Sequence, residues 1–329
     1  MASQAAANLE SLTDLCTPWC IHVVTTLRIA EHIQAGTTRI EELAKAADCD
    51  EYVLHSILGH LVSKGVFLET PQGTFALNEP ARKLLEPSWR LGLDLDGLGG
   101  RLAGVWSTML KYVRTGEPAY KDVFGLPFWE DLNAHPSLAA EFDALIGPAG
   151  HGTPKGEFEI TGGWESVRNV VDVAGGTGAM LAEVLRLHRH LTGTLVDLPR
   201  TVALATDNFR AAGVEDRVKT SGQSFFDPLP TGSDIYYLRG IINDWPDRES
   251  IEILRRCREA AQPNGRVVVL GGVGPDTRPM ILTIEMILVG GKQRKLSEFE
   301  RLAHAAGLSI TAAARQSSGY FVVECAPAG

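Results

Sequence analysis

The second half of the chain alternates between short apolar runs and amphipathic segments, and this alternation most constrains its fold. The apolar runs predict strands at 168–173, 193–196, 217–221, 234–238, 265–270, 308–313 and 319–325. Helices are predicted between the earlier runs, including 178–188, 199–211 and 248–261. Strands that alternate with helices form a parallel, doubly wound sheet. The last two strands are joined by too few residues for a crossover, so they should form an antiparallel hairpin at one edge.

The N-terminal part of the chain follows a different pattern. Helices are predicted over 10–34, 38–47 and 50–64, followed by a strand pair at 66–69 and 74–77. Asp50 is a suitable N-cap for the last of these helices, and Gly73 lies in the turn of the strand pair. Helices followed by a two-stranded ribbon are typical of a winged-helix domain.

Charge argues against the DNA-binding function that a winged helix suggests. The whole chain has a net charge of −9, and residues 1–90 contain seven basic and eleven acidic side chains. The helix that would enter a DNA groove has no Arg or Lys before Lys64, although groove binding requires cations against the phosphates. A DNA-binding regulator is therefore a remote alternative, and the apolar N-terminal helix is better explained as a homodimer surface.

The lengths of the apolar runs, the first residues and the cysteine spacing together predict a cytoplasmic protein. No apolar run is long enough to span a membrane, and the first residues lack the features of a signal peptide. The five cysteines are odd in number and irregularly spaced, which argues against a disulfide framework. Cys16 and Cys20 are four residues apart without a second ligand pair, so we interpret them as a buried helix face and predict no metal.

Residues 95–147 again show helical spacing and contain many aromatic side chains. These are Trp106, Tyr112, Tyr120, Phe124, Phe128, Trp129 and Phe142. They either line a pocket for a flat substrate or form core between domains. The run 147–154 then breaks the helix with several Gly and Pro residues.

A glycine-rich loop follows the first strand of the alternating half and opens a helix. It runs from Asp172 to Gly178, and Leu181 occupies the position where a dinucleotide fingerprint requires its third glycine. The spacing Asp-x-x-x-Gly-x-Gly instead favours S-adenosylmethionine. Asp197, nineteen residues after Gly178, ends the second strand, where a carboxylate can accept both ribose hydroxyls. The alternative for Asp197 is a helix N-cap.

Several further motifs give the chain a family resemblance that runs nearly end to end. These are the segments 17–30, 128–132, 195–199, 224–230, 243–247 and 290–291. Together they resemble the small-molecule O-methyltransferases of the caffeate and bacterial polyketide-tailoring type. The resemblance implies a winged-helix-like dimerisation domain over 1–95, a helical substrate-pocket region over 96–165 and a Rossmann-like, seven-stranded cofactor domain over 166–329.

The resemblance also implies which residues contact S-adenosylmethionine, or S-adenosylhomocysteine as the product. It places Ser224 and Phe225 near the adenine and Trp245 against the adenine edge. The full predicted set is Asp172, Gly175, Gly176, Gly178, Asp197, Leu198, Ser224, Phe225, Arg239 and Trp245.

The chain departs from this family at the catalytic base. A histidine normally precedes the Asp-Trp pair and is flanked by two glutamates, whereas this chain has Asn243, Gly271 and Gln293 at the three positions. Asn243 could hydrogen-bond a substrate carbonyl or act as a cap or turn residue. Glu285 is a candidate surrogate base, the alternative being a salt-bridged surface glutamate.

Two smaller departures concern the loops. Ala174 replaces a glycine that is usual in the cofactor motif, which costs little if its φ is negative. His151 lies in the Gly/Pro run, where it either reshapes the pocket or is only a loop residue.

Two enzymatic functions remain open on these residues. The first is methyl transfer to a flat aromatic or polyketide-like natural product, driven by positioning without a histidine base. The second keeps the cofactor but transfers no methyl, with its positive charge assisting a rearrangement, cyclisation, hydroxylation or decarboxylation. The predicted partners are a small-molecule substrate and a second copy of the chain, without nucleic acid or membrane.

Overall fold

A computed structural model describes residues 8–70, 73–146, 158–277 and 282–328. The described chain divides into two compact units. One unit is formed by residues up to 107 together with 132–145, and the other by 108–131 together with the rest of the chain from 146 onward. Within the described residues, no helix combines the length and apolar character that crossing a membrane requires.

The first unit consists of short helices and one β-ribbon. Its elements are α1 (Leu9–Leu12), α2 (Cys16–Thr26), α3 (Ile29–Gln34), α4 (Ile40–Ala46), α5 (Glu51–Ser63), β1 (Leu68–Thr70), β2 (Thr74–Ala76), α6 (Glu79–Lys83), α7 (Pro87–Leu93) and α8 (Leu98–Val105). The strands β1 and β2 pair antiparallel. The Asp50 side chain accepts a hydrogen bond from the Val53 amide, as an N-cap of α5 should.

The predicted helical segment 10–34 is interrupted twice. The second break falls at Leu27 and Arg28, where Arg28 has a φ of 55°. This left-handed residue turns the chain so that the apolar faces of α2 and α3 can both be buried, through residues such as Val24 and Ile29. The ribbon also begins two residues later than predicted, because Phe67 has a φ of 68° and cannot join an extended strand.

A helical stretch leads from the first unit to the second. It contains a 3₁₀ turn at Trp106–Thr108, then α9 (Met109–Thr115), α10 (Tyr120–Phe124), α11 (Phe128–Ala134) and α12 (Pro136–Ile146). The aromatic side chains predicted as one group are consequently divided, because Trp106 and Phe142 belong to the first unit and Tyr120 and Trp129 to the second.

The second unit contains the predicted sheet. Its strands are β3 (Asn169–Val173), β4 (Thr192–Asp197), β5 (Val218–Gly222), β6 (Ile235–Arg239), β7 (Arg266–Leu270), β8 (Val273–Gly274), β9 (Arg294–Lys295), β10 (Leu308–Arg315) and β11 (Phe321–Pro327). Its helices are α13 (Ala179–Leu187), α14 (Pro199–Val202), α15 (Ala205–Ala212), α16 (Asp247–Ala261), α17 (Ile284–Leu288) and α18 (Leu296–Ala305). The helix predicted over 199–211 is thus two helices, which are separated at Ala203 and Leu204.

Among the described residues, seven strands form one sheet in the order β10-β11-β7-β6-β3-β4-β5. The pairs from β7 to β5 are parallel, whereas β11 pairs antiparallel with both β7 and β10. This confirms the predicted α/β class, with the last two strands forming an antiparallel hairpin at one edge. The central strands are almost fully buried, as expected when helices cover both faces of a parallel sheet.

The strand order places a crevice at β3. The chain runs outward from β3 to β4 and β5 and then returns to the other side of β3 with β6. Ligands of open parallel sheets bind beyond the carboxyl ends of the strands at such a reversal. The carboxyl ends of β3, β4, β5 and β6 therefore define the region in which to look for a site.

Candidate functional site

The predicted cofactor residues are gathered at this edge of the sheet. The glycine-rich loop leaves β3, Asp197 ends β4, Ser224 and Phe225 follow β5, and Arg239 ends β6. Because parallel strands share one carboxyl edge, residues far apart in sequence meet here.

Asp172 lies beneath the glycine-rich loop, inside β3. It pairs in register with Tyr237 of β6, and its side chain is 1% exposed. Burial raises the pKa of Asp172 to about 7, although the neighbouring Tyr237 hydroxyl and Arg239 oppose the shift. Asp172 Oδ2 is buried and has no hydrogen-bond partner among the described residues. It is a buried acceptor available to a ligand or a water.

Two glycines of this loop, Gly175 and Gly178, have no space for side chains. A Cβ at Gly175 would lie 2.3 Å from the Asp172 carboxyl carbon, and one at Gly178 would lie 2.3 Å from the Phe209 ring. Gly176 and Gly178 also have positive φ values of 60° and 76°. The loop is therefore bare backbone, which allows close approach to a ligand. Ala174 has a φ of 57°, so the condition under which the alanine would cost little is not met and the alanine is strained.

Asp197 joins β4 to the glycine-rich loop. Its Oδ2 accepts a hydrogen bond of 2.8 Å from the Gly176 amide, and its Oδ1 accepts one of 2.7 Å from the Leu198 amide. Leu198, not Asp197, is the N-cap of α14, and no side chain caps that helix. The structure therefore argues against the alternative role of Asp197 as a helix N-cap.

The segment after β5 presents both predicted adenine contacts. Ser224 and Phe225 are half-buried, and the Ser224 hydroxyl accepts a hydrogen bond from the Phe226 amide at 3.2 Å. Asp197 connects this segment to the rest of the site, because its carbonyl accepts a hydrogen bond from the Gln223 amide at 2.9 Å.

Trp245 is one member of an aromatic row. It stacks on Trp129 with ring centroids 5.5 Å apart, and the rings of Phe225 and Phe226 lie edge-on to it at 5.7 Å and 5.1 Å. The row continues from Trp129 through Phe128, which contacts Tyr120. Trp129 Nε1 also donates to the Asp244 carbonyl at 3.1 Å. These rings form one continuous aromatic cluster in the second unit, in which Tyr120 and Phe128 are buried.

Asn243 lies in a 3₁₀ turn, Ile242–Asp244, and its side chain is held from two sides. Its Nδ2 donates to Asp244 Oδ1 at 2.7 Å. Its Oδ1 lies 2.9 Å from the place that a Cβ of Gly272 would occupy, so only glycine fits there. Asp244 is buried, and burial raises its pKa to about 8. Asn243 is thus a fixed hydrogen-bonding amide and not a helix cap.

The other two predicted base positions also lack a titratable group. Gly271 has a φ of 78°, which a glutamate would rarely adopt. Gln293 is half-buried, and its Oε1 has no hydrogen-bond partner among the described residues. It follows Lys292, whose amide donates to the Asn243 carbonyl at 2.7 Å. Gln293 therefore lies next to the Asn243 turn and offers a free acceptor.

Two further candidate residues are placed less favourably. Glu285 is exposed in the first turn of α17, and the described residues provide its carboxylate with no hydrogen bond or ion pair. That position suits a negative charge at a helix N-terminus. The salt bridge considered for Glu285 is not found in the described part of the chain. His151 lies outside the described residues.

Arg294 holds the Asn243 turn together and was missed by the sequence reasoning. Its side chain is fully buried and donates to the carbonyls of Ile242 and Trp245 at 2.5 Å and 2.8 Å. It also donates twice to Asp247 Oδ1, at 3.0 Å and 2.8 Å. Burial alone would raise the pKa of Asp247, but hydrogen bonds from Lys292 and Arg294 hold it below its usual value. In the sequence, the only signal that pointed to Arg294 was the nearby segment Gly290-Gly291-Lys292.

Comparison with known proteins identifies the class of this site. A model of the O-methyltransferase domain family matches residues 106–309. This span includes the glycine-rich loop, Asp197 and the Asn243 turn. The chain therefore belongs to the O-methyltransferase family and is an enzyme of that family.

Individual relatives sharpen this assignment. The chain is 37% identical over 324 residues to a 2,7-dihydroxy-5-methyl-1-naphthoate 7-O-methyltransferase of Streptomyces carzinostaticus, covering 95% of this chain and 96% of that one. It is 36% identical over 327 residues to an aclacinomycin 10-hydroxylase of Streptomyces purpurascens, covering 94% and 86%.

A solved structure gives the same result in three dimensions. It is the O-methyltransferase of neocarzinostatin biosynthesis in complex with S-adenosylmethionine and 2-hydroxy-5-methyl naphthoic acid. The two chains are 36% identical, the TM-score is 0.76, and the match covers 98% of this chain and all of that one. The predicted family of S-adenosylmethionine-dependent, natural-product O-methyltransferases is thereby confirmed.

Proposed function

We propose that this enzyme transfers the methyl group of S-adenosylmethionine to a hydroxyl of an aromatic natural product, and that it does so by positioning. The observation that carries the proposal is the contrast at one sheet edge between an intact cofactor loop and a catalytic turn built around an amide. The cofactor supplies an electrophilic methyl group on a sulfonium. The residues of the chain must bind the cofactor and orient the substrate.

The cofactor end offers the groups that such a ligand needs. Asp197, which ends β4 and accepts hydrogen bonds from the Gly176 and Leu198 amides, would accept the ribose hydroxyls of the cofactor. The bare backbone from Gly175 to Gly178 would receive the amino-acid end, near the unpaired Asp172 Oδ2. Phe225 would lie near the adenine, and Trp245, which Phe225 contacts edge-on, would lie against the adenine edge. These assignments, with Ser224, Leu198 and Arg239, form our proposed cofactor site.

The acceptor end would orient the substrate without removing its proton. Asn243 is immobilised by Asp244 and Gly272, and Gln293 offers a buried acceptor close by. A general base contributes roughly 10²–10⁴-fold to a rate. A hydroxyl that is acidified by a neighbouring carbonyl or quinone ionises without that help, so we infer a substrate of this kind.

Product analysis and kinetics test the proposal together. Incubation with S-adenosylmethionine and a hydroxynaphthoate should yield a product heavier by one methylene, detected by mass spectrometry. The rate should show no titration near a pH of about 6.5, the ordinary pKa of histidine, and should follow the ionisation of the substrate hydroxyl. Asn243→Ala should slow the reaction by less than about 100-fold, the lower limit for loss of a general base.

A matched variant keeps that kinetic result interpretable. Glu285→Gln removes the exposed surrogate candidate, and it should leave the rate unchanged. A loss of more than about 10⁴-fold in Asn243→Ala, with cofactor binding intact, would show that positioning is the wrong explanation. The same loss in Glu285→Gln would make Glu285 the base.

The second candidate function is a reaction that uses the cofactor without consuming it. The 36% identity to a protein named a hydroxylase favours this candidate, as does the missing base. Its signature is a changed product that carries no added methyl group while S-adenosylmethionine remains intact. S-adenosylhomocysteine, which lacks the positive sulfur, should then support less activity if the charge assists the reaction.

We also propose that the N-terminal winged-helix-like domain, residues 1–95, forms a homodimer. Large apolar side chains are exposed on α1 and α2, namely Leu9, Leu12, Leu15 and Trp19 at 72%, 71%, 75% and 48%. A second copy would cover them. Light scattering should report a dimer at micromolar concentration, and duplex DNA should not bind. The five free thiols fit a reducing cytoplasm.

A further inference from the structure

A cluster of soft metal ligands lies in the first unit, outside the methyl-transfer site. Cys16 and Cys20 lie one turn apart on α2, and His60 comes from α5. Their ligand atoms all lie within 4.8 Å of one another. Cys16 is exposed and Cys20 is 9% exposed, so the two thiols do not form the buried helix face expected from their spacing.

The sulfur separation matches a tetrahedral zinc site. Two thiolates bound at about 2.3 Å to a tetrahedral zinc ion lie about 3.8 Å apart. Cys16 Sγ and Cys20 Sγ are 3.8 Å apart. This separation is far longer than the roughly 2.05 Å of a disulfide. The two sulfurs can thus bind one ion without a change of the helix backbone.

A hydrogen-bond relay orients the third ligand. The Thr17 hydroxyl donates its one proton to Asp14 Oδ2 at 2.6 Å, so His60 Nε2 must donate to the Thr17 oxygen at 2.8 Å. The lone pair of the His60 ring then lies on Nδ1. Metal-binding histidines commonly have such a carboxylate-based relay on their other nitrogen.

The charges of the cluster also suit a dication. Two thiolates and Asp14 carry three negative charges, and Lys64, which pairs with Asp14 at 3.3 Å, carries one positive charge. A Zn²⁺ ion would neutralise the remaining two. Its binding displaces two thiol protons into solvent and requires no redox partner.

We propose that Cys16, Cys20 and His60 bind one Zn²⁺ ion per chain, with the fourth position open to water. Three protein ligands with an exposed fourth position differ from a closed structural site. The ion would tie α2 to α5 and so stabilise the first unit. The proposal is independent of the methyl-transfer reaction.

Cobalt substitution tests this site in the full-length protein. Co²⁺ added to the reduced, metal-free protein should produce the charge-transfer band of a thiolate–cobalt bond and the visible absorption of tetrahedral cobalt, at one ion per chain. Zn²⁺ should abolish both signals by competition. Cys16→Ser, Cys20→Ser and His60→Gln should each weaken Zn²⁺ binding at least tenfold. Cys49→Ser, which changes a half-buried thiol outside the cluster, should bind as the parent does.

A variant that disrupts only the hydrogen-bond relay tests whether the three ligands form a metal site or are close together by chance. Thr17→Val removes the relay while keeping the shape of the side chain, and it should weaken binding by roughly 10–100-fold, as loss of such second partners does. The proposal is overturned if the cobalt spectrum lacks thiolate bands, if Cys16→Ser and Cys49→Ser bind equally well, or if the stoichiometry is half an ion per chain. A circular dichroism spectrum of each variant establishes that it is folded.

Discussion

The two ends of the candidate site have diverged to different extents. At the cofactor end, Asp197 still joins β4 to a bare glycine-rich loop. At the acceptor end, Asn243, Gly271 and Gln293 stand where the family resemblance implies a histidine and two glutamates, and the turn that carries Asn243 is held by the fully buried Arg294. The scaffold of the acceptor end is therefore intact although its titratable groups are absent.

This comparison teaches that rigidity and proton transfer are separable properties of the site. A turn that had lost its function would not need a buried arginine with five hydrogen bonds, because burying a charge is costly unless it is paired. Retention of this arrangement fits a site that positions its substrate. Variants at the two ends test this interpretation.

The largest effect is expected for the acceptor-end scaffold. Arg294→Gln removes the guanidinium donors to the Asp247 carboxylate and to the Ile242 and Trp245 carbonyls, which then keep, among the described residues, only the donors Lys292 and Ser250. Two lost hydrogen bonds from a charged donor to these carbonyls, at about 1.5–3 kcal/mol each, give about 3–6 kcal/mol. We expect a decrease of that size in the free energy of unfolding in urea, with loss of product formation. Arg248→Gln, at a side chain that is 90% exposed, is the control, and an equally stable Arg294→Gln variant would contradict the scaffold role.

A smaller effect is expected at the cofactor end. Asp197→Ala should weaken S-adenosylmethionine binding by about 1.5–3 kcal/mol, the contribution of hydrogen bonds to a charged group, or roughly 10–150-fold. Asp197→Asn, which keeps one acceptor oxygen, should lie between this variant and the parent. Calorimetry measures both, with Asp207→Ala as a control on an exposed carboxylate. Unchanged affinity in Asp197→Ala would remove this residue from the proposed site.

The pH dependence of stability compares the buried carboxyls of the two ends. Burial raises the pKa of Asp244 to about 8 and that of Asp172 to about 7. Above the unfolded pKa of about 3.9, the folded chain keeps these protons longer than the unfolded chain does. Stability should therefore fall as the pH rises from about 4 towards 7 at Asp172 and towards 8 at Asp244.

Replacing one of these carboxyl groups measures how much it contributes to the pH dependence of stability. Asp244→Asn should reduce the loss of stability between pH 5 and 7 by about 1–2 kcal/mol, within a limiting slope of about 1.4 kcal/mol per pH unit. Urea unfolding without cofactor at several pH values measures the change. Asp207→Asn should retain the parent slope, and the same slope in Asp244→Asn would show that this carboxyl does not titrate there.

The smallest effect concerns strain in the cofactor loop. Ala174 has a φ of 57°, where an alanine costs about 1–2 kcal/mol and a glycine does not. Because glycine also gains freedom in the unfolded chain, Ala174→Gly should stabilise the protein by about 0.5–1 kcal/mol, measured by thermal unfolding. Ala203→Gly, at a φ of −62°, should destabilise it. A destabilised Ala174→Gly variant would contradict the strain.

Local patterns in the sequence determined the sheet, because apolar runs and helical spacing are properties of neighbouring residues. The parallel strands, the antiparallel hairpin at the edge and the Asp50 cap were predicted in this way. The glycine-rich loop and Asp197 were recognisable because strand ends in a parallel sheet meet at one edge. The breaks at Arg28 and Ala203 were not, because burial of helix faces against distant elements decides them.

Only the tertiary structure decided which distant side chains meet. It brought Arg294 under the Asn243 turn, and it divided the aromatic residues of 95–147 between two units. It also brought His60 to Cys16 and Cys20, a contact that spacing along α2 could not show. The physical reason is the same in each case: hydrogen bonds and ligand distances are set by the packing of elements, whereas sequence periodicity reports only which face of each element is buried.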